Sequence, residues 1–348
     1  VKPCRNSLLC YLAKKGPEWK DRLYSEIAAA RAELALEVPN VLASLEFATT
    51  SPERANVGLG LATSVNRYWQ LVGNTAFFVR YFDRLFASSP TDAHIVAYAL
   101  WSVAILHFYA GQEATSVDCY ERAIAAFMEL GDPKQAMNLK VNLATVRASS
   151  GDMAAAEEIC SEILSSKVEL DVRTSVSSLY SQVTYKKGDY EASLQMARNA
   201  ADGFASLNNH HGLALSINNV GHALRRLGRY EEARAAYSES LRMRKEIGDR
   251  IGVVLVMEGC SKLCAVLGHE EEGIKLATLT DSFRTRLRAN RLSFDTDEWV
   301  ETLETLRNRA GDRFEDWRRE ATDMDEATAV AFLEETLSGL KLLFQVGR

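Results

Sequence analysis

Apolar residues recur every three to four positions along most of the chain, the spacing of helices that bury one face. The clearest stretch is 212–249. There Ile217, Val220, Leu224 and Leu227 step down one helical face, and Ala233, Ala236, Tyr237, Ser240 and Leu241 down the next. Gly228 separates them and is followed by a polar residue. The same device recurs at Gly73, Gly111, Gly151, Gly188, Gly228 and Gly268, with steps of 38, 40, 37, 40 and 40 residues. Each glycine is expected to end a helix in the left-handed conformation. A second set of breaks falls midway, at ELGDP (129–133), SLNNHHG (206–212) and EIGDR (246–250). The unit is therefore helix, tight turn, helix, looser turn. Six units cover roughly residues 55–285. This predicts an all-α fold, a right-handed superhelical solenoid of about six helix pairs. Residues 1–54 would form a helical lead-in and 286–348 a helical cap. No proline follows Pro133, so long helices can run there without their commonest breaker.

The 212–249 unit resembles a tetratricopeptide repeat (TPR). Gly221 matches the small residue of that motif's first helix, Ala233 and Ser240 the small positions of its second, and Tyr230 and Tyr237 its aromatic positions. The period near 40 exceeds the motif's usual 34 and implies longer helices. The ends carry a further resemblance. Glu33, Asn40, Leu45 and Ala48 fit the helical linker that precedes the repeats in bacterial signalling ATPases. Phe314, Trp317, Glu326 and Ala327 fit their closing segment. That grouping includes regulators with LuxR-type or cyclase outputs and a repeat sensor like that of the maltose regulator. The resemblance implies the sensor or partner-recognition arm of such a protein, active in signal transduction or transcription regulation in a bacterial cytoplasm.

Composition narrows the setting. The chain carries 41 basic and 47 acidic side chains, a net charge of −6, which does not indicate direct nucleic-acid binding. Six cysteines in 348 residues are too few for a secreted disulfide framework, and a reducing compartment suits them. The most apolar run, 95–110, is short for a spanning helix and reads as a buried solenoid helix, so no membrane role is expected. The short apolar stretch near the start lacks the length and cleavage site of a signal peptide. A start at Val1 fits a piece of a longer protein.

Little in the sequence suggests chemistry. There is no Gly-x-x-x-x-Gly-Lys-Ser/Thr phosphate loop, no His-Glu-x-x-His and no Gly-x-Ser-x-Gly. Cys260 and Cys264 lie one helical turn apart but fall on inter-helix packing positions, where small cysteines pack. His210 and His211 sit in a turn. No cofactor, metal site or enzymatic activity is expected. Asp295 with Glu298 and Asp323 with Glu326 have capping-box spacing and would start the last helices.

A solenoid of helix pairs offers a concave face lined by its first helices. By TPR geometry, repeat positions two, five, nine, twelve and thirteen point into it. This singles out Arg67, Trp101, Phe108, Tyr109, Tyr185, Lys186, Asn218, His222, Arg225, Arg226, Glu258 and Lys262. The groove is expected to be aromatic towards the N-terminal repeats and polar to basic towards the C-terminal ones. The arginines and lysines would receive a carboxylate or phosphate, Asn218 and His222 would be directional donors, and the aromatics would hold an apolar or sugar-like body. The primary reading is a non-catalytic module that binds a protein, peptide or small-molecule effector. A free-standing interaction scaffold and a peptide-pheromone receptor are the alternatives. Self-association through the terminal repeats is compatible with all three.

Overall fold

A computed structural model describes residues 2–287 and 296–340. Their regular structure is entirely helical, without a strand. The chain forms two compact units, residues 1–146 and 147–348. The first holds α1 (Lys2–Ser25), α2 (Ile27–Ala48), α3 (Pro52–Val72), α4 (Thr75–Ala87), α5 (Ala93–Tyr109), α6 (Glu113–Glu129) and most of α7 (Pro133–Ser149). The second holds α8 (Met153–Ser165), α9 (Leu170–Lys186), α10 (Tyr190–Ser206), α11 (His210–Arg226), α12 (Tyr230–Glu246), α13 (Arg250–Leu267) and α14 (Glu270–Leu287). It closes with α15 (Thr296–Ala310), a 3-10 turn at Gly311–Arg313, α16 (Phe314–Thr322) and α17 (Glu326–Gly339). In the first unit α3 pairs with α4 and α5 with α6, and in the second α9 pairs with α10, α11 with α12 and α13 with α14.

The turns form where the repeat places them. The six tight-turn glycines all adopt positive φ, between +70° and +88°, which any Cβ would strain. Midway, Gly131 and Gly248 do the same, and in SLNNHHG the left-handed residue is Asn208, at φ +53°. Side-chain caps start the following helices. Asp189 accepts from Ala192 N, Asn209 from Gly212 N and Asp249 from Gly252 N. One cap differs from expectation. Helix α17 is capped by Asp325, which accepts from Thr328 N at 2.8 Å, whereas Asp323 ends α16. Backbone at Asp325 is extended, as an N-cap needs, and Glu326 instead pairs with Arg250.

In the first unit, α1 and α2 are joined by polar ties to one carboxylate. Glu33 receives Lys15 at 2.6 Å, Trp19 Nε1 at 3.0 Å and Arg22 at 2.7 Å. These donors, Lys15 first, hold the Glu33 carboxyl down to about 2.

In the second unit the core rests on Tyr237, fully buried on α12. Its ring lies between two glycines. A Cβ on Gly221 would come within 2.7 Å of the ring, and one on Gly259 within 2.6 Å. Ser240 adds a hydroxyl bond to the Ala214 carbonyl at 2.8 Å. Overpacking at this crossing leaves the large ring nowhere to go. Gly221→Ala is therefore expected to lower the unfolding free energy by about 1–3 kcal/mol, read by urea denaturation. An unchanged midpoint would refute the close packing.

Candidate functional site

The first helices of the second unit bring most of the groove residues together. Tyr185 comes from α9, Asn218, His222, Arg225 and Arg226 from α11, and Glu258 and Lys262 from α13. They occupy repeat positions five, nine, twelve and thirteen, so successive turns of neighbouring helices present them to one place.

That place holds a carboxylate of the chain itself. Glu298, near the start of α15, sits among the cations. Arg225 Nη2 donates to Glu298 Oε1 at 2.5 Å and to the Tyr185 hydroxyl at 2.7 Å. Tyr185 Oη donates to the carboxylate, 2.9 and 3.0 Å from its two oxygens. Arg226 Nη1 reaches Oε1 at 3.2 Å, and Lys262 Nζ reaches Oε2 at 3.2 Å. Lys262 also pairs with Glu258 at 3.2 Å, and Glu258 accepts from Arg284 of α14 at 2.8 Å. The Arg225 side chain is 5% exposed, that of Lys262 3% and that of Glu298 14%, so the pairs are largely desolvated. Burial alone would raise the Glu298 pKa. The Arg225 and Lys262 charges and the Arg225 hydrogen bond reverse this and hold it far below the usual carboxylate range. Burial, with Glu298 close by, keeps the Tyr185 hydroxyl protonated well above its ordinary range, although the Arg225 charge opposes this.

Beneath this layer runs a neutral chain. Tyr237 Oη lies 3.0 Å from His222 Nδ1, and Asn218 Nδ2 lies 2.9 Å from His222 Nε2. Burial first, then the Lys262 and Arg225 charges, lower the His222 pKa to about 3. The two residues expected to present donors to a ligand are thus turned onto each other. Asn218 Oδ1 and Arg225 Nε are buried without a hydrogen-bond partner. At the rim, the exposed Arg226 guanidinium stacks over Tyr190 at 4.7 Å.

Seven of the twelve expected residues therefore form one network. Lys186, half-buried, follows Tyr185 at the end of α9. The other four belong to the first unit. Arg67 on α3 donates to Gln70 at 3.1 Å. On α5, Trp101 is half-buried against Tyr98, with ring centroids 6.1 Å apart, and Phe108 meets Tyr109 edge-on at 5.7 Å. Tyr109 is exposed.

The sequence reading missed Glu298 as a groove residue. Its spacing from Asp295 suggested a cap, and Asp295 lies outside the described residues. The carboxylate instead goes to Arg225, Arg226 and Lys262, the last of which it shares with Glu258. The signal available was the α15 periodicity. Trp299, Thr302 and Leu306 are buried, and Glu298 borders that face. Arg284 was missed for a similar reason, because it sits on a second helix, outside the groove register.

Among the described residues no group of three or more His, Cys, Asp or Glu side chains gathers to hold a metal. Cys260 and Cys264 are fully buried, and burial, with Cys260 beside it, pushes the Cys264 thiol well above its usual range. No described helix is long and apolar enough to cross a membrane.

Residues 173–246 match the family model of the tetratricopeptide repeat, and residues 65–149 match that of anaphase-promoting complex subunit 5. No curated protein matches the chain in sequence. Several solved structures share the fold. A Rap protein complexed with Competence and Sporulation Factor gives a TM-score of 0.53 at 16% identity, over 95% of this chain and 97% of that one. NprR in complex with its cognate peptide NprX gives 0.53 at 16% identity, over 97% and 96%. A Signal Transduction ATPase with Numerous Domains (STAND) protein with a tetratricopeptide repeat sensor, from Pyrococcus horikoshii, gives 0.50 at 16% identity, over 96% of this chain and 60% of that one.

Proposed function

We propose that this tetratricopeptide-repeat solenoid is a non-catalytic recognition module, the sensor arm of a bacterial signalling ATPase or transcription regulator, and that its effector lies along the α9, α11 and α13 face. One observation carries the reading. Tyr185, Arg225, Arg226 and Lys262, from three successive first helices, converge on a single point. Buried cations are costly to assemble, and a fold that needed only stability would do as well with apolar residues there. A peptide is the favoured effector, because it is long enough to follow three helices and meet a row of side chains. The peptide named in the NprR complex and the repeat sensor named in the STAND structure are in keeping with this.

The test uses the full chain, equimolar hexapeptide pools, and panels of sugars and nucleotides, read by thermal shift. A class that binds the folded chain raises the melting temperature, by an amount that grows with the logarithm of its concentration relative to Kd. Peptide pools are expected to do so, and Arg226→Glu combined with Lys186→Glu to remove the shift. Arg226 is exposed and Lys186 half-buried, so both substitutions are tolerated better than one at the buried Arg225 or Lys262. Retention of the full shift in the double variant would place the effector elsewhere.

A further inference from the structure

The seating of Glu298 shows what the groove is built to hold. Its two oxygens together take five contacts. Arg225 and Arg226 meet Oε1 at 2.5 and 3.2 Å, Lys262 meets Oε2 at 3.2 Å, and the Tyr185 hydroxyl meets both at 2.9 and 3.0 Å. A planar anion with two oxygens fits this arrangement. The donors come from α9, α11 and α13, whereas the acceptor comes from α15, which lies outside the repeat. Helix α15 has its own anchorage further along. Leu306 is fully buried among Ala265, Ile274 and Phe314, and Arg309 Nη1 donates to the Ala265 carbonyl at 2.7 Å. Glu298 thus ties the start of α15 to α9, α11 and α13 at once, while Leu306 and Arg309 hold the helix further along.

We infer that the Tyr185–Arg225–Arg226–Lys262 cluster is a carboxylate-binding socket whose resting occupant is Glu298, and that an effector carboxylate takes its place and unties the start of α15. This rests on the groove assignment above and deepens it. The effector's carboxylate, from a side chain or a chain terminus, competes with an internal one. Affinity is accordingly lowered by the fraction of molecules in which Glu298 is seated, and occupancy is reported at α15. The isolated anion gains nothing new in charge. It replaces one carboxylate by another, so the resting and the effector-bound states each hold a carboxylate against the cations.

The experiment compares the full-length chain with its Glu298→Gln variant, after far-UV circular dichroism has shown equal helicity. Glutarate is titrated into each, with glutaramide as the uncharged control. Backbone hydrogen exchange over 298–306 is followed in parallel. A free-acid tetra-alanine peptide and a blocked, amidated peptide with one internal glutamate separate a terminal from a side-chain carboxylate. Glutarate is expected to bind the variant about tenfold more tightly than the wild type, a difference of about 1.4 kcal/mol. Exchange over 298–306 should rise with glutarate in the wild type and start high in the variant. Equal affinity for both chains, with exchange unmoved, would overturn the competition and leave the groove assignment standing. Failure of every carboxylate probe to bind either chain would overturn the socket. The groove assignment would then rest on the peptide-pool measurement alone.

Discussion

Arg225→Met is expected to lower the unfolding free energy by about 3 kcal/mol, towards the lower end of the range for breaking a buried ion pair. The loss arises because Glu298 stays largely buried, its side chain 14% exposed, while its closest cation, at 2.5 Å, disappears. The Tyr185 hydroxyl loses the same donor, at 2.7 Å. Lys262 and Arg226 remain, each at 3.2 Å, which keeps the cost from being higher. The cause is checked by a double-mutant cycle. If an unpaired charge is responsible, adding Glu298→Gln to Arg225→Met restores much of the stability, because a neutral amide tolerates the site. Simple loss of packing around a long side chain would instead make the two changes additive. Chemical denaturation of the four chains at neutral pH decides between these. Additivity within about 0.5 kcal/mol would remove the pair from the energetics of the groove.

The repeat was legible because its signals are local. A glycine forced into positive φ, an Asp or Asn cap three residues before a helical N–H, and a small residue at a helix crossing each leave a mark at a fixed offset. Gly228, Asp249 and Ser240 are found where the period places them. The convergence of Tyr185, Asn218, His222, Arg225, Arg226, Glu258 and Lys262 followed from the same register, since equivalent positions of stacked units face one groove. Glu298 was not legible in that way. The glycine markers stop at Gly268, and α15 approaches the groove through a tertiary arrangement that no period encodes. Its carboxylate had an adequate local explanation as a cap, and local explanations conceal long-range partners. The internal geometry of the groove was hidden for another reason. Repeat positions say which way a side chain leaves its helix, but not that Asn218 and His222 bond each other.

Stability is expected to fall as the pH drops below 6.5, with a slope of up to about 1.4 kcal/mol per pH unit from a single histidine. His222 is the origin. It is half-buried, and its charged form is disfavoured first by desolvation and then by Lys262 and Arg225, with Glu298 and Glu258 opposing. Tyr185 and Tyr237 complete its surroundings and stay neutral there. The folded-state pKa, about 3, lies below the usual 6.5, so on acidification the unfolded chain takes up this proton first. The group's contribution is therefore complete above 6.5 and is lost progressively down to about 3. Glu298 acts in the same direction but at lower pH. Its pKa is depressed from 4.5, so its contribution persists above that value and is lost only below it. Between pH 6.5 and 5 the two separate, and His222 dominates. His222→Gln keeps a polar partner for Tyr237 or Asn218 and removes the proton uptake. Urea denaturation at pH 7, 6 and 5 should show the wild type losing stability and the variant nearly level. Parallel losses in the two chains would mean that His222 titrates normally, and that the cations above it are more hydrated than their burial in the groove implies.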